Sequence, residues 1–244
     1  MGKKILIIGE SCKDVFIYCS SNRLAPDVPV PVLNILYQTE NPGMAKNVQR
    51  NVDKIFDYCD ILTNNNWESI TKTRYIHLDS NHMFIRVDSD HSKISKINLN
   101  DIDFSYDLIA ISDYNKGFLD EKDIEYICSK HENVFLDTKK RINNWALKAK
   151  IIKINNYEYN QSKDFMSEEL LNKTIRTNGP EGCFFQEKQY PVNKIEVKDS
   201  SGAGDTFFAG LIATYAKTND IKESIKFANA CASKVVQEKG VTTI

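Results

Sequence analysis

Residues 3–9, KKILIIG, open the chain with a continuous apolar run that stops at Gly9. Such a run suits a strand buried on both faces. Two extended segments follow, VFIYCS and VPVLNILYQ, and the prolines and polar residues of SNRLAPDVP place a loop between them. TRYIHLD and HMFIRVD flank Ser80-Asn81, the pattern of a hairpin. These four β-rich segments are expected to form a small antiparallel sheet apart from the main one. From Gly43 the period changes: Met44, Val48, Val52, Ile55 and Phe56 recur at helical spacing. Beyond residue 100 the rhythm is strand, loop, helix, repeated. DLIAIS, NVFLD, AKIIKI, TIRTN and CFFQ read as strands. Asp120 caps the helix EKDIEYICSKH and Ser167 caps the short helix SEELL. DTFFAGLIATYAKT and IKESIKFANACASKVVQEKG read as two longer helices, the second ending near Gly240. The alternation predicts an α/β fold, a mostly parallel sheet flanked by helices. No repeat or long linker interrupts it, so residues 1–244 are read as a single domain.

Composition narrows the function classes. The chain has 244 residues, 41% hydrophobic and 27% charged, which reads as soluble and globular. Its 32 basic and 33 acidic residues leave a net charge of −1, with nothing that asks for nucleic acid or an anionic membrane. The opening apolar run is too short for a signal peptide or a membrane span. The six cysteines are scattered with no CxxC pair, the mark of reduced, buried thiols in a cytoplasmic protein. The four histidines form no metal-binding pair.

Candidate chemistry gathers where strands end. In a parallel α/β sheet, sites lie at the carboxyl ends of the strands. Asp113–Lys116, Asp137–Lys139, Asn155–Glu158 and Asn178–Gly182 all stand just after predicted strands. The stretch DSSGAGDTFFAG, Asp199 to Gly210, places Gly202, Ala203 and Gly204 directly before a helix with the apolar face Phe207, Phe208, Leu211, Ile212 and Tyr215. A helix's first turn has unpaired N–H groups and a partial positive charge, and small residues let an anion approach them. Asp205, beside such an anion, is placed to take a proton from an attacking hydroxyl. The plainer reading makes it an N-cap aspartate after a flexible turn, and GxGD alone does not decide between them.

The wider sequence resembles the PfkB/ribokinase family of carbohydrate kinases. NRLAPDVPVPVLNI, NPGMAKNVQRNV, TKTRYI, FIRVD, ISDYNKG, FLDTKK, INNYE, KDSSGAGDTFFAGL and FANACASKVV follow, in order, the pattern of one branch. That branch is the bacterial D-glycero-D-manno-heptose 7-phosphate kinases, the kinase half of the bifunctional enzymes of ADP-heptose synthesis. The resemblance implies a Rossmann-like ribokinase fold with a small antiparallel β-sheet lid, its segments near 15–38 and 73–90. It implies in-line transfer of the ATP γ-phosphoryl group to a hydroxyl of a phosphosugar, with Mg²⁺ and, in some relatives, K⁺. Asp205 resembles the catalytic base, and Gly202, Ala203 and Gly204 the anion hole. Asp14, Asn41, Gly43, Asn47 and Lys116 fall at acceptor-binding positions. Lys139, Asn155, Glu158, Thr177, Gly179, Gly182 and Asn229 fall at nucleotide-binding positions. Glu158 matches an indirect magnesium contact and Asp199 a potassium position. Relatives in the branch are similar to dimers joined through their lids, so a homodimer is expected.

The chain departs from that pattern mostly in its first half. Gly9-Glu10 stands where the family has Gly-Asp, with Asp14 kept four residues on. Pro42-Gly43 replaces a glycine pair, Thr138 a proline, and Ile154 another. After the helix ending near Tyr58, DYCDILTNNNWESITKTRYI is too short for the family's next strand–helix unit, so the sheet is expected to lose a strand there. The alternatives are a kinase for another sugar or a nucleoside, and a degenerate protein that binds sugar phosphate or nucleotide without turnover.

Overall fold

In β1 (Ile5–Ile8) successive side chains go to opposite faces. Leu6 and Ile8 join one hydrophobic core, and Ile5 and Ile7 join another on the far side of the sheet. The computed structural model, which describes residues 2–244, continues from β1 with β2 (Ser11–Ser20), β3 (Asn34–Met44), α1 (Ala45–Val52), β4 (Cys59–Leu62), β5 (Thr71–His77) and β6 (Met83–Asp88). Then come β7 (Leu108–Asp113), α2 (Glu121–Lys130), β8 (Val134–Thr138), β9 (Ile151–Asn155), α3 (Asn156–Ser162), α4 (Glu168–Asn172) and β10 (Thr174–Thr177). β11 (Cys183–Phe185), β12 (Lys188–Tyr190), α5 (Ala203–Thr218) and α6 (Ile221–Val235) complete the chain.

Eight strands form the main sheet in the order β12-β11-β10-β9-β8-β7-β1-β4. From β4 to β10 every neighbouring pair is parallel, and β11 and β12 add an antiparallel edge. One core holds α2, Trp145 and Leu170 against this sheet, and the other holds α1, α5 and α6. Helices on both faces explain why the strands are uninterrupted apolar runs. Full burial of side chains such as Phe135 and Phe208 is worth about 1.5–3 kcal/mol each. Helices α5 and α6 approach closely at Gly210, where a Cβ would meet the Ala228 Cα at 3.1 Å.

Four strands in the order β3-β2-β5-β6 form the lid. Its outer pairs, β2–β3 and β5–β6, are antiparallel, and its central pair, β2–β5, is parallel. The parallel pair follows from topology, because α1 and β4 lie between the two strands and make the long crossover that parallel pairing needs. Phe16, Tyr18 and Ile76 on the lid's inner face pack with Val241, and Val15, Ile17 and Cys19 occupy the outer face.

Several expected boundaries shift. The lid strands begin at Ser11 and run to Met44, then from Thr71 to Asp88, wider than 15–38 and shifted from 73–90. Asn41, Pro42 and Gly43 close β3 rather than open a helix, pairing with Asp14, Lys13 and Cys12. Helix α1 starts only at Ala45. The strand expected to be lost is kept: Cys59–Leu62 pairs in register with Ile5–Ile8. Four residues suffice for that, and what the short segment lacks is room for a helix; a single turn, Trp67–Ser69, stands there. Helix α6 ends at Val235, short of Gly240. Asn155–Glu158 is no loop but the start of α3, where Asn155 and Glu158 form a reciprocal capping box. NYEYNQS carries no apolar stripe, so the sequence gives no helical signal there. All six cysteines are free, five of them buried.

Candidate active site

Helix α5 begins at Ala203, and its N-cap is Gly202, in the left-handed conformation at φ 79°. Asp205 is therefore the helix's third residue, and its side chain makes no capping bond. Its carboxylate is buried, at 7% exposure, and points across the domain. Oδ2 accepts from Asn47 Nδ2 at 2.9 Å, and Oδ1 accepts a short bond from the Tyr114 hydroxyl. Burial raises the Asp205 pKa; the bonds from Asn47 and Tyr114 oppose this, Asp137 adds to it, and the net effect is upward. A carboxylate so raised is a stronger base than a solvated one. Asn47 keeps its own Oδ1 buried without a partner, an acceptor free for a hydroxyl donor beside Asp205.

The other positions expected to bind an acceptor lie on the lid side. Asp14 accepts from Arg74 at 2.6 Å, and a Cβ on Gly43 would come within 2.2 Å of Asp14 Oδ2. Only glycine fits so close to that carboxylate. Asn41 stands opposite Asp14 in β3. Lys116 has an exposed side chain, and its backbone N–H donates to Glu10 Oε1 at 2.6 Å. Glu10 is fully buried, its Oε2 without a partner. Burial and the neighbouring Asp113 push its pKa up to about 7.

On the other side of Asp205 lies a cavity of about 910 Å³. Gly202–Asp205, Lys139, Asn155, Thr177, Gly179, Gly182 and Asn229 all border it, so the expected nucleotide positions converge on one space. Glu158 stands behind that wall. Its Oε1 accepts from Lys139 Nζ at 2.5 Å and from Asn155 Nδ2 at 2.9 Å, and its Oε2 accepts from the Asn155 backbone. Burial lowers the Lys139 pKa, but Asp137 and Glu158 outweigh it and hold the ammonium charged. Asn229 donates to the Tyr190 carbonyl at 2.9 Å. Asp199 ties two loops together, accepting from the N–H groups of Ser201 at 2.8 Å and Gly240 at 3.1 Å.

Two further residues stand in the site, Lys153, which the sequence does not single out, and Tyr114, which it places only within the loop Asp113–Lys116. Lys153 is 2% exposed and donates to Asp137 at 2.8 Å; a Cβ on Gly204 would lie 3.2 Å from its Nζ. Its ammonium thus sits beside the turn at the start of α5. A lysine inside the apolar strand AKIIKI was the available signal, since a buried lysine needs a reason. Tyr114, within ISDYNKG, had no comparable mark; only the tertiary fold brings it to Asp205. Burial and the Asp205 charge hold its hydroxyl protonated, well above the ordinary tyrosine range.

This arrangement of sheet and lid is shared with known kinases. The structure matches ribokinase from Thermotoga maritima with a TM-score of 0.75 at 15% identity, over 98% of this chain and 94% of that one. It matches a nucleoside kinase from Methanocaldococcus jannaschii with a TM-score of 0.72 at 17% identity, over 99% and 94% of the two chains. The fold is that of the ribokinase-type kinases. The pattern of pfkB family carbohydrate kinases matches residues 65–244, and the chain belongs to that family of phosphotransferases. It is also 30% identical to the bifunctional protein HldE of Helicobacter pylori strain J99, over 98% of this chain and 64% of that protein. The chain thus spans 64% of the length of that curated relative. The alignment runs over 295 positions against the chain's 244 residues, in keeping with its shortened form.

Proposed function

We propose that the chain transfers the γ-phosphoryl group of ATP to a hydroxyl of a phosphosugar, with heptose 7-phosphate phosphorylated at its anomeric hydroxyl. The observation that carries this reading is Asp205, a buried carboxylate between the lid and the large cavity, in the first turn of α5. Asp205 takes the proton of the acceptor hydroxyl, which Asn47 Oδ1 and Asp14 help to orient. The N–H groups of Gly202 and Gly204 and the Lys153 ammonium face the charge that develops on the moving phosphoryl group, while the Ala203 N–H holds the turn by donating to the Ser200 carbonyl at 3.2 Å. Lys139, Asn155, Thr177, Gly179, Gly182 and Asn229 hold the nucleotide. The similarity to HldE supports the choice of heptose, a name that belongs to that protein and comes to this chain as a proposal.

Magnesium belongs to the same reading. Asp137 has a buried Oδ1 without a hydrogen-bond partner, a hard oxygen of the kind this ion takes, and Glu158 lies behind Lys139. When bound, the ion neutralises phosphate charge. Phosphofructokinase-2 of Escherichia coli, matched with a TM-score of 0.72 at 13% identity over 99% of this chain and 94% of that one, has been crystallised with potassium. We place a potassium ion here beside Asp199, and exchange of K⁺ for Na⁺ in the assay tests it.

The lid is proposed to join two copies. Ile35, Ile85 and Val87, at 63%, 53% and 50% exposure, leave apolar surface on its outer side that a second lid would cover. Among the described residues no helix is long and apolar enough to cross a membrane, and the reaction is placed in the cytoplasm, where ATP is abundant.

An ADP-release assay over sugars and phosphosugars tests the reaction. A second reading, binding without turnover, is favoured by one observation: Asn47 and Tyr114 already occupy both oxygens of Asp205. ATP binding with no turnover on any acceptor would establish it.

A further inference from the structure

Tyr114 reaches Asp205 from a loop that has no regular structure of its own. The loop leaves β7 at Asp113 and runs to Gly117, with Asn115 at φ 56° and Gly117 at φ 97°. Its residues 115–117 are exposed. Two buried carboxyls fasten it, one from each side of Tyr114. Asp113 Oδ1 accepts from the Asn115 N–H at 3.1 Å and from Lys140 Nζ at 2.7 Å, and its Oδ2 accepts from the Thr138 hydroxyl. Glu10, just beyond β1, accepts on Oε1 from the Lys116 N–H at 2.6 Å.

The backbone at Glu10 has no room to move. Gly9 lies so close to β7 that a Cβ would fall 2.0 Å from the Ser112 carbonyl oxygen, and the Glu10 carbonyl accepts from the Ala45 N–H at 3.1 Å. The charges around its side chain are out of balance. Two carboxyls, Glu10 and Asp113, share one ammonium, that of Lys140, and Asp113 holds it. Lys116 turns only its backbone N–H to Glu10. Glu10 Oε2 is buried with no hydrogen-bond partner among the described residues. A buried charge without a partner is costly, and of two carboxyls in one site one keeps its proton. Burial and Asp113 outweigh the Lys116 N–H and Lys140, and push the Glu10 pKa up to about 7.

We infer that Glu10 is a positioning residue for the transfer: by holding the Lys116 N–H it sets the loop 113–117 so that the Tyr114 hydroxyl meets Asp205. This rests on the phosphotransfer reading of Asp205. Glu10 does not border the large cavity, so it acts through the loop. When Glu10 ionises, a second negative charge stands against Asp113. With the Glu10 backbone fixed, the exposed loop gives way and Tyr114 loosens from Asp205.

The test compares Glu10→Gln, which keeps the acceptor for the Lys116 N–H and imitates the protonated acid, with Glu10→Met, which removes that acceptor. Two readouts are used: kcat and KM across pH 5.5–8.5, and the ring ¹³C resonance of Tyr114 in tyrosine-labelled protein, assigned with Tyr114→Phe. Wild-type kcat should fall about 10-fold as pH rises through about 7, the worth of one hydrogen bond to a charged group. Glu10→Gln should hold the low-pH kcat across that range. Glu10→Met should lose about 10-fold at every pH, with KM for ATP unchanged, and the loss should vanish in a Tyr114→Phe background. The Tyr114 resonance should move with pH in the wild type and stay still in Glu10→Gln. Wild-type kcat in Glu10→Met overturns the inference, as does an undiminished loss in the Tyr114→Phe background. If Glu10→Met does not fold, a Glu10→Gln pH course identical to wild type overturns it. Turnover with a Tyr114 resonance indifferent to Glu10 leaves the kinase reading standing and removes this one. A Glu10-dependent resonance with no turnover on any acceptor does the reverse, upholding the hold on Tyr114 and removing the kinase reading.

Discussion

The side-chain amide of Asn47 donates to Oδ2 of Asp205 at 2.9 Å, joining the first helix of the chain to the first turn of α5. Each residue is buried, and each comes from a different half of the site. With the bond from Tyr114 to Oδ1, this bond fixes the rotation of the Asp205 carboxylate. It also draws the lid's root, at Met44–Asn47, toward the carboxylate proposed to accept the proton.

Asp205→Asn should keep the fold, because the substitution is nearly isosteric and its side chain does not cap α5. Turnover should fall about 10²- to 10⁴-fold, the range for losing a general base. The effect should fall on kcat, with ADP affinity retained. Wild-type kcat in this variant would remove Asp205 from the mechanism.

Tyr114→Phe removes a donor that favours the charged form of Asp205. The carboxyl pKa should then rise further, since fewer bonds hold its negative charge. The acidic limb of the kcat/KM profile should move to higher pH relative to wild type. A profile that drops in height without moving would mean that Tyr114 serves only as packing.

Glu10 ties stability to pH. Its pKa is raised from 4.5 to about 7 in the fold, so the folded state holds a proton that the unfolded chain has released. Stability from this group is full below about pH 4.5 and is lost as pH rises through about 7. At about 1.4 kcal/mol per pH unit, the window amounts to roughly 3 kcal/mol. Denaturant melts of wild type and Glu10→Gln should therefore diverge across that range, the variant keeping its stability as wild type declines. Parallel pH profiles would show that Glu10 is ionised in the fold at all these pH values.

Gly43→Ala places a Cβ 2.2 Å from Asp14 Oδ2. The carboxylate must move and loosen from Arg74, with a loss of about 1–3 kcal/mol of stability. The KM for the acceptor should rise while that for ATP holds. Equal changes in both would place Asp14 outside the acceptor site.

Local signals carried much of the fold. The caps at Asp120 and Ser167 and the 71–88 hairpin were readable because each is specified by neighbours in sequence. The turn before Asp205 was readable for the same reason. The bond from Tyr114 to Asp205 spans 91 residues and that from Asn47 spans 158, and no local pattern specifies either. Lys72, inside TKTRYI, carries no local mark. What sets it apart is that both carboxylates opposite it, Asp14 and Asp88, are already taken by Arg74 and Arg86, which only the register of β2, β5 and β6 reveals.

The short crossing from β4 to β5 works as a leash. Between Leu62 and Thr71 the chain makes one turn and is pinned at Asn64, which accepts from the Ser11 N–H at 2.8 Å at the very root of the lid. A lid tethered at its hinge has few open positions to visit. Less ordering is then left for a ligand to impose, and a finished product has a narrower way out. In a rapid-quench time course, the first turnover should outrun the rest.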